Sequence, residues 1–413
     1  MQIKRGLSAL MLLFLGWPAG AQEQPESRFR FGGFGTLGLA WNSTDQAAFI
    51  RDVSQPRGAT RTPDGRVDSR LGLQGDAQLT GTLQATLQVV SKYRYDATYT
   101  PDITWAFLGW SPQPEYRFRF GRLGVESFMN SDSRDVGYTY LLVRPPMEVF
   151  GVVPVTRLDG LDGTGTFAAG ADSTLRFKAF FGQASEKMPL AAAGTATVLD
   201  LAGDRVQGLI AELQTGSWRA RLGYAGLQIR TGFPAAVTNL QNGLETFARL
   251  SGNPQLVQTA DALDFTGGTL GSYTAGLAWD DNPVQGQAML ACFRSDRDML
   301  PRGWAGYVSA GYRLGKVVPY GLWSRVASES RPGLYLQGLP PAVAAQIRTL
   351  VDTFASSQST AAAGFRWDFL AQADCKVQVE RVQGSLPTRL WAQPQPGWDG
   401  RATVVSAVLD FVF

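Results

Sequence analysis

A chain of 413 residues with 38 Lys and Arg against 35 Asp and Glu carries a formal charge of only +3, without the clustered basic excess that nucleic-acid phosphates require. It contains no histidine, which excludes Ser-His-Asp and Cys-His catalysis and removes the commonest ligand of catalytic zinc. Its 47 glycines, 23 Phe, 12 Tyr and 11 Trp suit many strands with aromatic ends better than a helical fold.

The N-terminus places Lys4 and Arg5 ahead of an apolar run that closes on Ala19-Gly20-Ala21, the small-x-small pattern of a cleaved export signal. Residues 1–21 therefore read as a signal peptide and 22–413 as the mature chain, whose net charge falls to +1. No later stretch approaches the roughly 20 apolar residues that a helix needs to cross a bilayer. Any crossing must be made by strands.

Period-two alternation predicts sixteen of them, near 28–42, 67–79, 83–96, 102–113, 115–124, 156–169, 172–184, 203–215, 217–230, 272–282, 285–297, 303–315, 317–330, 360–370, 373–384 and 401–413. Tight links such as those at 80, 111, 215 and 314 alternate with longer ones, among them 43–66, 125–155, 185–202, 231–271, 331–359 and 385–400. Short turns on one side and large loops on the other are the asymmetry of an outer-membrane barrel. The faces separate cleanly in the second strand, where Val67, Leu71, Leu73 and Leu79 oppose Asp68, Arg70, Gln74 and Asp76. The eighth and eleventh strands alternate less well. Rings gather near strand ends, with Trp41, Trp105 and Trp304 toward the loops and Phe29, Trp218, Trp279 and Trp367 toward the turns, as two interfacial girdles would require.

In "YRFRFGR", a strand sorts Tyr116, Phe118 and Phe120 onto one face and Arg117 and Arg119 onto the other. Turning the apolar faces to lipid sends Arg70, Lys92, Arg94, Arg117, Arg119, Arg176, Lys178, Arg219 and Arg221 inward, where water solvates them. The reverse orientation would cost roughly 2 to 4 kcal/mol per charge near the midplane. The ladder is then either a solvated wall or a functional track. The last strand keeps Val405, Ala407, Leu409, Phe411 and Phe413 on one face and stops there.

The export signal, the opening "RFGGFGTLGLAWN" strand, the terminal Phe413 and the long segment after the fifth strand together resemble the sixteen-stranded porins of Gram-negative outer membranes. The resemblance implies an all-β transmembrane antiparallel barrel in which Phe413 signals to the barrel-assembly machinery and three barrels associate. It also implies that residues 124–155 fold inward as a constriction loop. Its carboxylates Glu126, Asp132, Asp135 and Glu148 would then oppose the basic wall and set up a transverse field. The expected function is passive diffusion of small hydrophilic solutes, weakly favouring anions. A solute-specific channel, with anions as the candidate solutes and the basic ladder as their track, and a barrel enzyme or adhesin working through its outer loops, are the rival readings.

Other motifs are weaker. Gly33, Gly35 and Gly38 match a dinucleotide fingerprint in letters, but the segment is itself strand-like and no helix follows. "LDGLDGTG" lacks the spaced carboxylates of a calcium loop, so Asp159 and Asp162 read as strand residues and no metal or cofactor is expected. Cys292 and Cys375 fall on separate strands and are expected to stay unpaired. Helical periodicity in the outer loops aligns Leu240, Leu244, Phe247 and Leu250, and again Val343, Ile347, Leu350, Val351 and Phe354, as helices packed over the mouth or as a gating or partner-binding device.

Overall fold

The computed structural model describes residues 28–413 apart from 154, 193–194, 331 and 386–387. The predicted signal peptide lies outside the described residues. Sixteen antiparallel strands close into one barrel: β1 (Phe29–Asn42), β2 (Arg70–Gln78), β3 (Leu83–Lys92), β4 (Asp102–Gln113), β5 (Tyr116–Gly124), β6 (Arg157–Ala168), β7 (Ser173–Ala184), β8 (Arg205–Thr215), β9 (Trp218–Gln228), β10 (Thr269–Asp281), β11 (Val284–Ser295), β12 (Arg302–Tyr312), β13 (Val317–Glu329), β14 (Ser356–Leu370), β15 (Ala373–Ser385) and β16 (Arg401–Val412). Each pairs with its sequence neighbours, and β16 closes on β1 with Leu37 opposite Leu409. All sixteen lie where alternation predicts them. The tightest turns need a backbone that most residues avoid, as at Gly216 between β8 and β9, where φ is +52°.

The barrel is inside out relative to a water-soluble protein. Phe31 is 84% exposed, and Leu39, Leu73, Phe120, Leu209 and Leu222 stand open on the same outer surface. Arg70, Lys178, Arg221, Thr360, Gln378 and Asp410 are buried within. An apolar belt of this extent is stable only against hydrocarbon, and strands of 9 to 15 residues are long enough to span it. No helix of the described residues is long and apolar enough to cross a membrane. Cys292 and Cys375 are both free thiols.

At the closing seam the glycines of the opening strand make room for aromatic rings. A Cβ on Gly33 would collide with the ring of Phe413, and one on Gly35 with the ring of Phe411. Phe413 also exchanges backbone hydrogen bonds with Gly33 at 2.9 and 3.0 Å, so the last residue extends the seam.

The outer loops carry three helices, α1 (Ala235–Ser251), α2 (Pro254–Ala262) and α3 (Pro341–Asp352), and a hairpin pairing Lys187–Ala192 with Thr195–Asp200. Gly252 ends α1 at φ +65°; Asn253 then caps α2, accepting from the Gln255 N–H, with Pro254 at the first helical position. Ile347 and Leu350 of α3, and Phe354 just beyond it, are buried as their spacing predicts. In α1 the buried set is Val237, Leu244 and Ala248, whereas Phe247 and Leu250 are exposed. The real contact stripe runs about one residue around from the predicted one. It packs with Met188, Leu190 and Leu199 of the hairpin over the inner faces of β6 to β8 at their outer ends, at Leu158, Phe180 and Val206. Trp105 joins this cluster from inside, so it belongs to the mouth rather than to the lipid-facing girdle.

Candidate functional site

The segment between β5 and β6 runs inside the ring, and the reason lies in an unusual wall. The inner faces of β11, β12 and β13 present Met289, Ala291, Phe293, Ala305, Tyr307, Leu322 and Val326, which a purely water-filled interior would not favour. Phe128, Met129, Met147, Val149 and Phe150 of the segment pack against them, with the Phe150 ring 5.2 Å from Phe128 and 6.3 Å from Tyr307. This explains the poor alternation of β11: both its faces are apolar because the inner one is covered. β8 has the same cause at its outer end, where Val206 and Ile210 meet the loop cluster.

Polar pins flank the apolar contact. Arg144, only 2% exposed, donates to Asp68 at 2.6 Å and to Ser406 at 2.6 Å, reaches Glu380, and lies over the Phe49 ring at 4.9 Å. Burial alone would raise the Asp68 carboxyl, but Arg144 and Arg51 hold it well below the usual carboxylate range. Glu148 is equally buried and accepts from Ser324 at 2.7 Å, Gln358 at 2.8 Å and Thr360. Nearby, Lys376 donates to the Gly137 carbonyl and to Asp410, each at 2.8 Å, while Arg366 donates to the Tyr138 carbonyl at 2.8 Å. These contacts fasten the segment to β13 through β16.

The opposite flank carries the basic ladder. Glu126 reaches Arg176 at 2.9 Å and Lys178, with Arg221 at 3.8 Å. Burial acts to raise Glu126, yet Lys178 and Arg176 bring it down to about 2. Lys178 also pairs with Asp162 at 2.9 Å, and Asp162 with Arg119 at 2.5 Å. Arg176 and Arg221 stand 3.8 and 3.7 Å from Glu212. Asp135 receives Arg70 at 3.1 Å and Lys92 at 2.9 Å. Against the raising effect of burial, Lys92 and Arg70 hold its carboxyl below the usual range.

The structure thus places the singled-out residues in three situations. Glu126 and Asp135 touch the ladder directly instead of facing it across an open waist. Glu148 turns the other way, to neutral donors. Asp132 is exposed and forms no ion pair among the described residues; neither does Arg117, while Arg219 donates to the Asn130 side chain at 3.0 Å. Arg94 lies beyond the end of β3 and pairs with Asp96 and Asp102 at 3.1 and 3.3 Å, so it stands at the outer rim.

Asp162, Glu212 and Asp410 were not singled out as inward acids. The parity that turns Arg119 inward finds Asp162 too, because Asp162 shares the inner face of β6 with Thr164 and pairs directly opposite Arg119. Two polar cavities remain. One of about 310 Å³ opens on the outer side of the segment, among Lys92, Arg134, Asp132, Asp135 and Glu186. The other, of about 280 Å³, lies on the turn side, among Asn130, Thr139, Arg219, Trp279 and Gln287. Among the described residues, no group of three or more His, Cys, Asp or Glu is placed to hold a metal.

No protein-family model matches the sequence, and no curated protein matches it. Solved structures do. The anion-selective porin from Comamonas acidovorans superposes with a TM-score of 0.54 at 14% identity, covering 93% of this chain and 99% of that one. OmpF of Salmonella typhi, solved with daunomycin, gives 0.53 at 12% identity over 93% and 97%. The outer membrane channel DcaP of Acinetobacter baumannii gives 0.51 at 12% over 94% and 99%. The fold is that of the sixteen-stranded outer-membrane porins.

Proposed function

We propose that this chain is an outer-membrane porin: a passive channel for small hydrophilic solutes, weakly preferring anions, with residues 124–155 as its constriction loop. On this reading the protein is exported by cleavage after Ala21, inserted by the barrel-assembly machinery with Phe413 as part of its signal, and assembled as a homotrimer among outer-membrane lipids. It uses no cofactor and performs no chemistry. The observation that carries the preference is the charge balance of the wall from β5 to β9. Six bases there, Arg117, Arg119, Arg176, Lys178, Arg219 and Arg221, meet three acids, Glu126, Asp162 and Glu212. The uncompensated positive charge faces a low-dielectric enclosure, which concentrates anions near it. The fold of the solved porins supports a channel of this kind.

Reconstitution into planar bilayers tests the reading. Stepwise conductance should appear, and the reversal potential under a KCl gradient should favour chloride at low salt and fade as salt rises, because charges beyond about 10 Å are screened at 0.1 M. Absence of conductance, or cation preference at low salt, would overturn it.

A further inference from the structure

On the outer side of the constriction segment a small cavity of about 60 Å³ differs in character from the two polar ones. Val125, Val152, Val155, Val206, Leu227 and Phe293 wall it with methyl and ring groups. Into this apolar lining comes Arg389, from the loop between β15 and β16. It spends one donor on the Val152 carbonyl, and no carboxylate pairs with it among the described residues. Arg389 is half-buried there; the other interior bases described above touch an acid, except the exposed Arg117 and the half-buried Arg219 on the turn side. Ser272, on the inner face of β10, lines the same cavity, and its hydroxyl is buried without a hydrogen-bond partner.

An uncompensated guanidinium and an unused hydroxyl in apolar surroundings are costly unless something answers them. Burial lowers Arg389 to about 10, with no carboxylate to offset it, so it is still charged at neutral pH. Guanidinium presents its five donors in a planar fork that matches a carboxylate, and its own charge needs one negative partner. The valines and Phe293 would accept an alkyl tail. The volume sets an upper limit on size: about 60 Å³ lies well below the ~150 Å³ that holds benzene, yet exceeds the ~10–15 Å³ that admits one water.

We propose that this cavity is a binding site for short-chain monocarboxylates, of acetate to propionate size, with the carboxylate on Arg389 and the tail among the valines. A dicarboxylate would drive its second charge into the apolar wall, and an aromatic acid would not fit. The site stands just outside the constriction, so a solute held there is presented to the basic wall. Binding itself does not depend on the protein being a channel.

The test is therefore a binding measurement on the folded mature protein in detergent, independent of conductance. Saturation-transfer-difference NMR with sodium propionate should give a saturable signal, stronger than formate and absent with propylammonium. Arg389→Gln should weaken propionate binding by about tenfold or more, the scale of one charge-assisted bidentate contact. Ser272→Val, which changes no charge, should weaken it by a smaller factor and serves where Arg389→Gln does not fold. The proposal is overturned by no saturable signal in the wild type up to about 100 mM propionate, an affinity of no biological use. Binding unchanged in both variants, or chloride binding as tightly as propionate, would overturn it as well.

Discussion

Glu126 is the residue at which charge, burial and the position of the inward segment meet. Its carboxylate takes Arg176 and Lys178, while its backbone carbonyl accepts from Arg221, so one residue fixes the start of the segment to β7 and β9. Removing one partner of a buried pair leaves the other uncompensated, at a cost of about 3 kcal/mol. Glu126→Gln should therefore loosen this end of the segment, seen as noisier single-channel current and faster proteolysis within residues 124–155. The pH dependence follows from the sign of the shift. The folded value near 2 lies below the ordinary 4.5, so the stabilisation is complete above the ordinary value and is lost as pH falls through the folded one. Asp68 and Asp135 are shifted the same way. Conductance should hold steady from neutral pH to about pH 4.5, then become unstable toward pH 2. A transition near pH 6 would mean that another group controls the segment.

The segment and the seam show what governs whole elements. Phe150 is buried between Phe128 and Tyr307, and truncating such a ring costs about 3 to 5 kcal/mol when the cavity does not collapse. Phe150→Ala should undock the segment while leaving the barrel closed, giving larger unitary conductance with unchanged heat-modifiable mobility. At the seam the opposite holds: Gly33→Val puts methyls where the Phe413 ring lies, and deleting Phe413 removes the last backbone pair. Both changes should lower the amount of heat-modifiable, folded protein recovered from outer membranes, and wild-type amounts for either would argue that the seam tolerates repacking. The sixteen strands were legible in the sequence because lipid outside and polar groups inside write alternation directly into strands such as β2. The faces of β8 and β11 were less clear, since their inner sides meet protein instead of water, and which strands a distant segment will cover is not encoded locally. The same limit applies to α1, whose buried stripe is chosen by the hairpin beneath it.

For the molecule as a whole, selectivity depends on which interior charges are free, and this is the part that strand parity reads least well. Parity finds the ladder from Arg70 to Arg221 but treats each base as an independent charge, whereas contact with Glu126, Asp135, Asp162 and Glu212 neutralises most of them. Arg389 left no periodic signal at all, since it lies in a loop. Contact geometry then ranks the substitutions. Replacing Arg119 also exposes the charge of Asp162, so Arg117→Ser with Arg119→Ser should shift the reversal potential toward cations by more than Arg117→Ser alone. Asp132 forms no ion pair among the described residues, and Asp132→Asn should raise anion preference by one free charge. Asp135 restrains Arg70 and Lys92 together, so Asp135→Asn releases two cations at the outer cavity and should raise anion preference further than Asp132→Asn. Screening distinguishes this from a change in pore width: the differences should shrink strongly between 0.1 M and 1 M KCl, where the Debye length falls from about 10 to about 3 Å. Reversal potentials for the four variants at both salt concentrations give the order. Should Asp132→Asn outrank Asp135→Asn, the paired bases would have to be held elsewhere once released, and the selectivity would belong to the exposed edge of the segment rather than to the wall.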